Sequence, residues 1–569
     1  MKILKSILTI GTIALVLPGF AIPPKLGTIN YYQPDGSTIG IQIHGVRDNH
    51  VITTEDGTLI KQGEDGFYYI ANLDSHGRLV PSEVRAKGKG MDSGFIFNEE
   101  IARKISEFRQ INTRGTESGK GMYKTNYPTI GNPKVPVILV EFQDVKFSEK
   151  YDPKAYFTEM INGDNFTLHD SPGSLKKYFE DQSRGKFIPQ FDIYGPVLLP
   201  EKMEYYGKNT GIMDSFSHYM VSHSLKILDP EVDFSQYDEN NDGDIDFVYI
   251  IYAGYGENRG AGENTIWPHA GLIKGDGDFC LVDGKWGNYY ACSNELNYEN
   301  DEPEGICAFL HEYSHIIGLP DLYTTDVYSL HRETPGPYSV MDYGVYNNDG
   351  KTPPNYTAFE RNALQWNEGF ELKPETTVEL EEISSGQFGV ILTSDSNEFF
   401  LFENRQLTGW DKYLPNHGML IWHIHFNDFA FSNNQVNIHP DHQYVDLIEA
   451  NDNPGFDIDF PENCKGFVFP GSSNNTEFTP DTTPAFLTWS NEDLKLPITN
   501  IKETDSGIIT FDVAGGKNNG ILDIETDPHG NYHIYKITGE NFKVTNEPDI
   551  FKSIEKGIYI INGKKVLIK

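Results

Sequence analysis

The run Ile306-Cys307-Ala308-Phe309-Leu310-His311-Glu312-Tyr313-Ser314-His315-Ile316-Ile317-Gly318-Leu319-Pro320-Asp321 reads as a helix carrying a metal site on one face. Ile306, Phe309, Leu310, Ile316 and Ile317 supply the packing side, and Gly318 with Pro320 stops the helix. Residues four apart on a helix share a face, so His311 and His315 point the same way. Two neutral imidazoles placed so can hold one Zn²⁺. Zinc brings the pKa of water at such a site towards 7. Glu312, next to the first histidine, is the expected general base, taking a proton from water and passing it to a leaving amine. The spacing favours Asp321 as third ligand, where the chain turns back after Gly318. Asp326 and Glu333 lie downstream and are the alternatives. Cys307, one turn before His311, is expected to be a small packing residue.

Tyr338-Ser339-Val340-Met341-Asp342-Tyr343-Gly344 follows closely. Met341 in a tight turn is expected beneath the metal, as in metzincin-type peptidases, and Tyr343 is a candidate for holding the oxyanion. The chain shows neither a GxSxG nucleophile elbow nor a P-loop.

Over 569 residues, 46 basic side chains face 83 acidic ones, a net charge of −37. That excess disfavours nucleic acid and anionic membrane surfaces as partners. Lys2 and Lys5 precede an apolar run from Ile7 to Phe20, and Gly19 and Ala21 sit at the −3 and −1 positions of a cut after Ala21. This is the layout of a secretory signal peptide, and the expectation is a secreted or cell-surface protein. The run falls short of the roughly 20 residues a membrane span needs, so no transmembrane anchor is expected. Four cysteines, Cys280, Cys292, Cys307 and Cys464, are too few for a disulfide scaffold, although Cys280 and Cys292 could close a short loop.

The fold class expected is multidomain α+β. After the signal (1–21), residues 22–121 read as a β-rich propeptide. Asp35-Gly36, Asp56-Gly57 and Asp65-Gly66 supply turns between strands such as Thr38–Ile43 and Phe67–Ile70, ahead of a helix over Asn98–Gln110. A polar, Gly-rich stretch from 112 to 121 reads as a linker in which an exposed Arg114 suits proteolysis. Residues 131–370 read as a mixed catalytic domain. Its buried strands are Val135–Phe142 and Phe247–Ala253; its helices are Ser174–Gln182, Ile212–Leu228, Ile306–Ile317 and Tyr356–Trp366. Short strands over 376–514 suggest a β-sandwich, and 521–569 a small β-rich tail.

Asp238, Asn240, Asp242, Asp244 and Asp246, with Gly243 at the turn, match the first nine positions of an EF-hand-type loop, and Ca²⁺ is expected there. Position twelve is Tyr249, which lacks the closing carboxylate. An acidic turn held by Asx-type hydrogen bonds is the alternative. His423 and His425 alternate on a strand and read as packing, and Glu403 with Arg405 as a buried ion pair at a domain junction.

The sequence resembles the immune inhibitor A-like family (M6) of metallopeptidases. The likeness rests on His311–Tyr323, on Gly173-Ser174-Leu175 with Tyr178-Phe179 and Ser183–Phe187, and on Phe400–Gln406 leading to Gly418–His423. It spans about residues 28–513. It implies a metzincin-like zinc peptidase made as a zymogen, with zinc on His311 and His315, Glu312 as base, and proteins or peptides as substrates. The 22–121 segment has no cysteine, so a cysteine-switch latency is excluded for it. The tail from 521 resembles C-terminal modules of secreted Bacteroidota proteins, which suggests sorting. Two other readings are a non-catalytic adhesion protein on a peptidase scaffold and a peptidase restricted to glycoproteins. The intact Glu312 speaks against the first.

Overall fold

Two apolar runs, Lys134–Glu141 and Val248–Tyr255, lie side by side and in parallel at the centre of a six-stranded sheet of a computed structural model. The structure describes residues 20–46, 49–63, 65–73, 79–87, 96–97, 127–209, 214, 216–273, 280–326, 333–453 and 461–516, and most of 527–568. The expected signal run to Gly19, the Asn98–Gln110 helix and the 112–121 linker lie outside them.

The sheet order is Phe20–Ala21, His269–Leu272, Tyr289–Leu296, Val248–Tyr255, Lys134–Glu141, Gln190–Leu198. The last four strands run parallel, whereas His269–Leu272 is antiparallel to its neighbour. Alternation sorts side chains to two cores. Tyr249, Ile251 and Ala253 face the helix Cys307–Ile316 and the helix Leu175–Ser183. Val248, Ile250 and Tyr252 face the helix Ser217–Leu228. Both faces are covered, which is why the strands read as continuous apolar runs rather than alternating ones. Phe309 stacks on Tyr249 at 3.4 Å and Tyr313 on Phe247 at 5.1 Å, fixing the roll of the Cys307–Ile316 helix and turning its histidine face away from the sheet.

Six consecutive antiparallel strands from Ile29 to Arg85 form an N-terminal meander. Gly36, Gly57 and Gly66 take positive φ at its expected turns. Its core includes Trp267, and Lys61–Glu263 at 2.5 Å ties the meander to the segment before the edge strand. C-terminal to the mixed sheet, a five-stranded sheet packs on a three-stranded one around Phe400, Phe402, Phe478 and Phe511. The two layers share one apolar core. The strand Phe370–Glu371 already belongs to the larger layer. A four-stranded antiparallel sheet over 532–568 forms the tail.

Two expected helices are shorter in the structure. Tyr356–Trp366 is Ala358–Ala363, opened by a Thr357/Glu360 capping box and ended before Gln365, whose φ is 60°. The described helix in 212–228 begins at Ser217. All four cysteines are buried thiols, so no Cys280–Cys292 bridge forms. Cys280 instead donates to Ser222 O, and Cys292 Sγ lies 3.4 Å from His269 Nδ1.

Candidate metal centre

His311, His315 and Asp321 converge, all fully buried, and are the one such group among the described residues. The two Nε2 atoms are 3.1 Å apart, and each lies 3.2 Å from Asp321 Oδ1. Each ring donates its Nδ1–H to a backbone carbonyl at 2.8 Å, His311 to Val340 and His315 to Leu319. A neutral imidazole whose Nδ1 carries the proton presents a bare lone pair at Nε2. Asp321 Oδ1, buried, meets no hydrogen-bond donor. Three lone-pair atoms thus face one another with no proton between them, an arrangement that needs a cation. Tetrahedral ligands at about 2 Å from one ion lie about 3.3 Å apart, so the donor set and spacing fit Zn²⁺.

Met341 is buried, its carbonyl accepts Leu322 N–H at 2.8 Å, and Val340 supplies the carbonyl that fixes His311. Tyr343 stands on the same wall, its ring 6.5 Å from that of Tyr323. Asp326 and Glu333 are not part of the cluster. Cys307 packs with Ile22, Ala308 and Val345.

Sequence reasoning missed two contributors. Asn434 grips Asp321 twice, its Nδ2 donating to Asp321 Oδ2 at 2.6 Å and its Oδ1 accepting Asp321 N–H at 2.8 Å. The other is the chain's own segment 20–25. Phe20–Ala21 pairs antiparallel with the edge strand, and Ile22 N–H donates to Glu312 Oε1 at 2.8 Å. Tyr323 O–H donates to Ala21 O, Trp267 Nε1–H to Ile22 O at 2.9 Å, and Tyr346 O–H to Pro23 O at 2.6 Å. The Ile22 side chain fills an apolar niche of Cys307, Ala308 and Val345. An extended peptide therefore lies across the metal-binding face with the expected general base engaged.

Residues 128–371 match the family model described as immune inhibitor A peptidase M6, catalytic domain. This region is an M6 peptidase domain. The chain is 29% identical over 296 residues to immune inhibitor A of Bacillus thuringiensis subsp. alesti, covering 44% of this chain and 42% of that protein. It is 24% identical over 325 residues to the pre-pro-metalloprotease PrtV of Vibrio cholerae serotype O1, covering 48% of this chain and 34% of the relative. The chain thus spans less than half the length of these relatives. The crystal structure of metalloproteinase-II from Bacteroides fragilis is matched over 60% of this chain and 86% of that one, at 11% identity and a TM-score of 0.19, too low to carry an argument. The M6 region begins at the described residues before Lys134–Glu141 and ends with Phe370–Glu371, so it contains the whole metal-binding cluster.

Outside the cluster, four of the five expected ligands in the Asp238–Asp246 loop accept from the loop's own backbone, and Asp244 Oδ2 accepts Asn288 Nδ2–H at 2.8 Å. Asp238 accepts the N–H groups of Asp242 and Gly243, Asn240 accepts that of Asp242, Asp242 that of Asp244, and Asp246 that of Glu239. The cation at Asp238 is Lys285 Nζ, at 2.5 Å. Burial pushes the Asp246 carboxyl up to about 6. This is the Asx-turn arrangement, and the calcium reading rests on the sequence pattern alone. His423 Nε2 lies 2.7 Å from Glu398 Oε1, its ring stacked between Phe400 and Trp489, while His425 Nδ1 meets His442 Nε2 at 2.8 Å; both are packing and pairing roles.

Proposed function

We propose that the protein is a secreted zinc metalloendopeptidase made as a zymogen, with a signal to Ala21, a propeptide over 22–121, a catalytic domain over 131–370, a β-sandwich over 376–514 and a tail over 521–569. Its substrates are proteins or peptides, and no helix among the described residues is long and apolar enough to cross a membrane. The observation that carries this reading is a metal-ligand set beside a carboxylate that already holds a peptide N–H, on a peptide paired to a sheet edge.

His311, His315 and Asp321 would hold the zinc, which when bound supplies a Lewis acid that polarises a carbonyl and makes water acidic. The edge strand His269–Leu272 orients an extended substrate by backbone hydrogen bonds, as it does Phe20–Ala21. The niche of Cys307, Ala308 and Val345 takes the apolar side chain after the bond to be cut. Glu312 takes a proton from the attacking water and gives it to the departing nitrogen, the atom type it already holds at Ile22. Tyr323 and Tyr343 line the wall on the carbonyl side.

Latency follows from the same contacts. Segment 20–25 fills the track a substrate needs, and Glu312 is spent on Ile22 N–H. A signal cut after Ala21 removes Phe20–Ala21 and their contacts, so the blocking part that stays is the stretch from Ile22, whose new amino group lies at Glu312 and whose carbonyl, with that of Pro23, is still held by Trp267 and Tyr346. The relative from Vibrio cholerae bears the name pre-pro-metalloprotease, in keeping with a precursor of this layout.

The test is hydrolysis of an unfolded protein by the zinc-loaded chain after limited proteolysis in the 112–121 linker, run beside Glu312→Ala with zinc quantified in both. Loss of cleavage by about 10³-fold or more with zinc retained is the expected result. A wild type that binds no zinc sinks the proposal.

A further inference from the structure

Ala21–Ile22 is one peptide unit with both polar atoms held by the site. Its N–H is on Glu312, and its carbonyl oxygen is on the hydroxyl of Tyr323. A trans unit presents those two atoms on opposite sides, so the unit is gripped across its width. Tyr323 is held in place, its hydroxyl also within reach of the Asp321 carboxylate. Its ring is buried, it follows Asp321 by two residues, and it lies near-parallel to the His311 ring, with centroids 6.5 Å apart. Leu322, between the two, is anchored by its N–H to Met341 O. The hydroxyl is thus preorganised on the same turn that presents the third ligand.

We propose that Tyr323 is a catalytic residue of the peptidase reaction, donating its O–H to the carbonyl oxygen of the bond being cut. The inference rests on the peptidase reading above. Water oxygen attacks the carbonyl carbon; the new C–O bond pushes the carbonyl electron pair onto oxygen, where the Tyr323 hydrogen bond meets it. Glu312 has taken one water proton. It returns it to the nitrogen as the C–N bond breaks, giving a carboxyl and an amine. A donor already aimed at that oxygen costs no reorganisation as charge develops, and removing such a donor typically costs about 10²–10³ in kcat. Tyr343 is the competing assignment from its place after Met341; Tyr323 is the one whose hydroxyl meets the Ala21 carbonyl at the Glu312-bound peptide unit.

The test compares wild type, Tyr323→Phe and Tyr343→Phe in the zinc-loaded chain nicked in the 112–121 linker. Two quantities are read. One is kcat and KM for an unfolded protein substrate. The other is the Kd of the peptide Phe-Ala-Ile-Pro-Pro with its Ala–Ile bond replaced by a phosphinic group, a tetrahedral anionic mimic. Tyr323→Phe is expected to lower kcat by about 100-fold with KM changed by less than about threefold, and to weaken the phosphinic peptide by about as much as kcat falls. Zinc content and melting temperature identify a merely misfolded variant, in which KM and metal also suffer; there Tyr323→His, which restores a donor, must recover part of the phosphinic affinity. Unchanged kcat and Kd in Tyr323→Phe, or both losses appearing in Tyr343→Phe instead, overturn the proposal. A zinc-loaded wild type that cuts no protein sinks the peptidase reading, and the phosphinic affinities then still decide whether Tyr323 holds the tetrahedral oxygen.

Discussion

Asp321 owes its aim to a residue 113 positions away in sequence. One Asn434 side chain satisfies both the second carboxylate oxygen and the backbone N–H of the third ligand, which leaves Oδ1 as the only oxygen directed at the histidines. Groups that orient metal ligands typically carry about 10–100-fold in metal affinity. Asn434→Ala should therefore weaken zinc by that factor, read by competition with a chromogenic chelator; unchanged affinity would show that the 315–321 turn alone sets the carboxylate. His311, Glu312 and His315 were legible because i and i+4 on a helix are neighbours by geometry, and Asp321 because Gly318 and Pro320 force the turn locally. Asn434 and Tyr323 were not. Asn434 belongs to a segment with no pattern of its own, placed by the packing of Phe431 and Val436 into the catalytic core. Tyr323 stood in the stretch that carried the family resemblance, yet its role shows only once a carbonyl lies against it.

At the scale of elements, the helix carrying the histidines and the edge strand His269–Leu272 form the two walls of a track, and segment 20–25 occupies it. A peptide bound along a strand edge beside the metal helix was expected from the motif, without a strand being named. That the chain would supply this peptide itself was not, because nothing in the local sequence at the signal junction distinguishes a processed terminus from an inhibitory one. The grip depends on Ile22, 2% exposed in its niche, whose burial is worth about 2–3 kcal/mol. Ile22→Asp places a charge among Cys307, Ala308 and Val345 and should raise the open population about 10²-fold. The full-length variant is then expected to cleave an unfolded protein before any nicking, at rates well above the wild-type precursor. Equal latency in the two proteins would assign the block to the 29–85 meander rather than to the segment. Helix ends show the same limit of local reading: Gln365 at positive φ shortens a helix that apolar spacing extended to Trp366.

Across the whole molecule, the M6 domain and the sandwich are joined by buried charge. Arg405 lies 3.0 Å from Glu403 and also meets Asp411, while reaching the carbonyls of Tyr338 and Asn355, and Glu403 accepts Ala358 N–H at the start of the Ala358–Ala363 helix. The expected ion pair at the junction is thus a network that holds the Met341 turn and the sandwich in one register. Glu360 lies within this junction, accepting from Ser339 Oγ at 2.5 Å and Thr357 N–H at 2.6 Å. Burial, opposed by those hydrogen bonds, pushes its carboxyl up to about 7 from an ordinary 4.5. A carboxyl whose pKa is raised on folding keeps its proton in the native state while the unfolded chain loses it, so its stabilising contribution is complete below about pH 4.5 and is lost as pH rises through 7. The difference corresponds to about 3 kcal/mol, to order of magnitude. Glu360→Gln keeps the shape and one oxygen acceptor, which can serve Thr357 N–H while the amide NH₂ donates to Ser339 Oγ, and it has no proton to lose. Urea unfolding at pH 5 and pH 8 should show the wild type losing more stability than the variant over that interval, by up to that amount, with metal present at saturation in both. Parallel pH profiles would mean that Glu360 stays ionised at the junction, its charge balanced by the hydrogen bonds from Ser339 and Thr357 and by the neighbouring arginines.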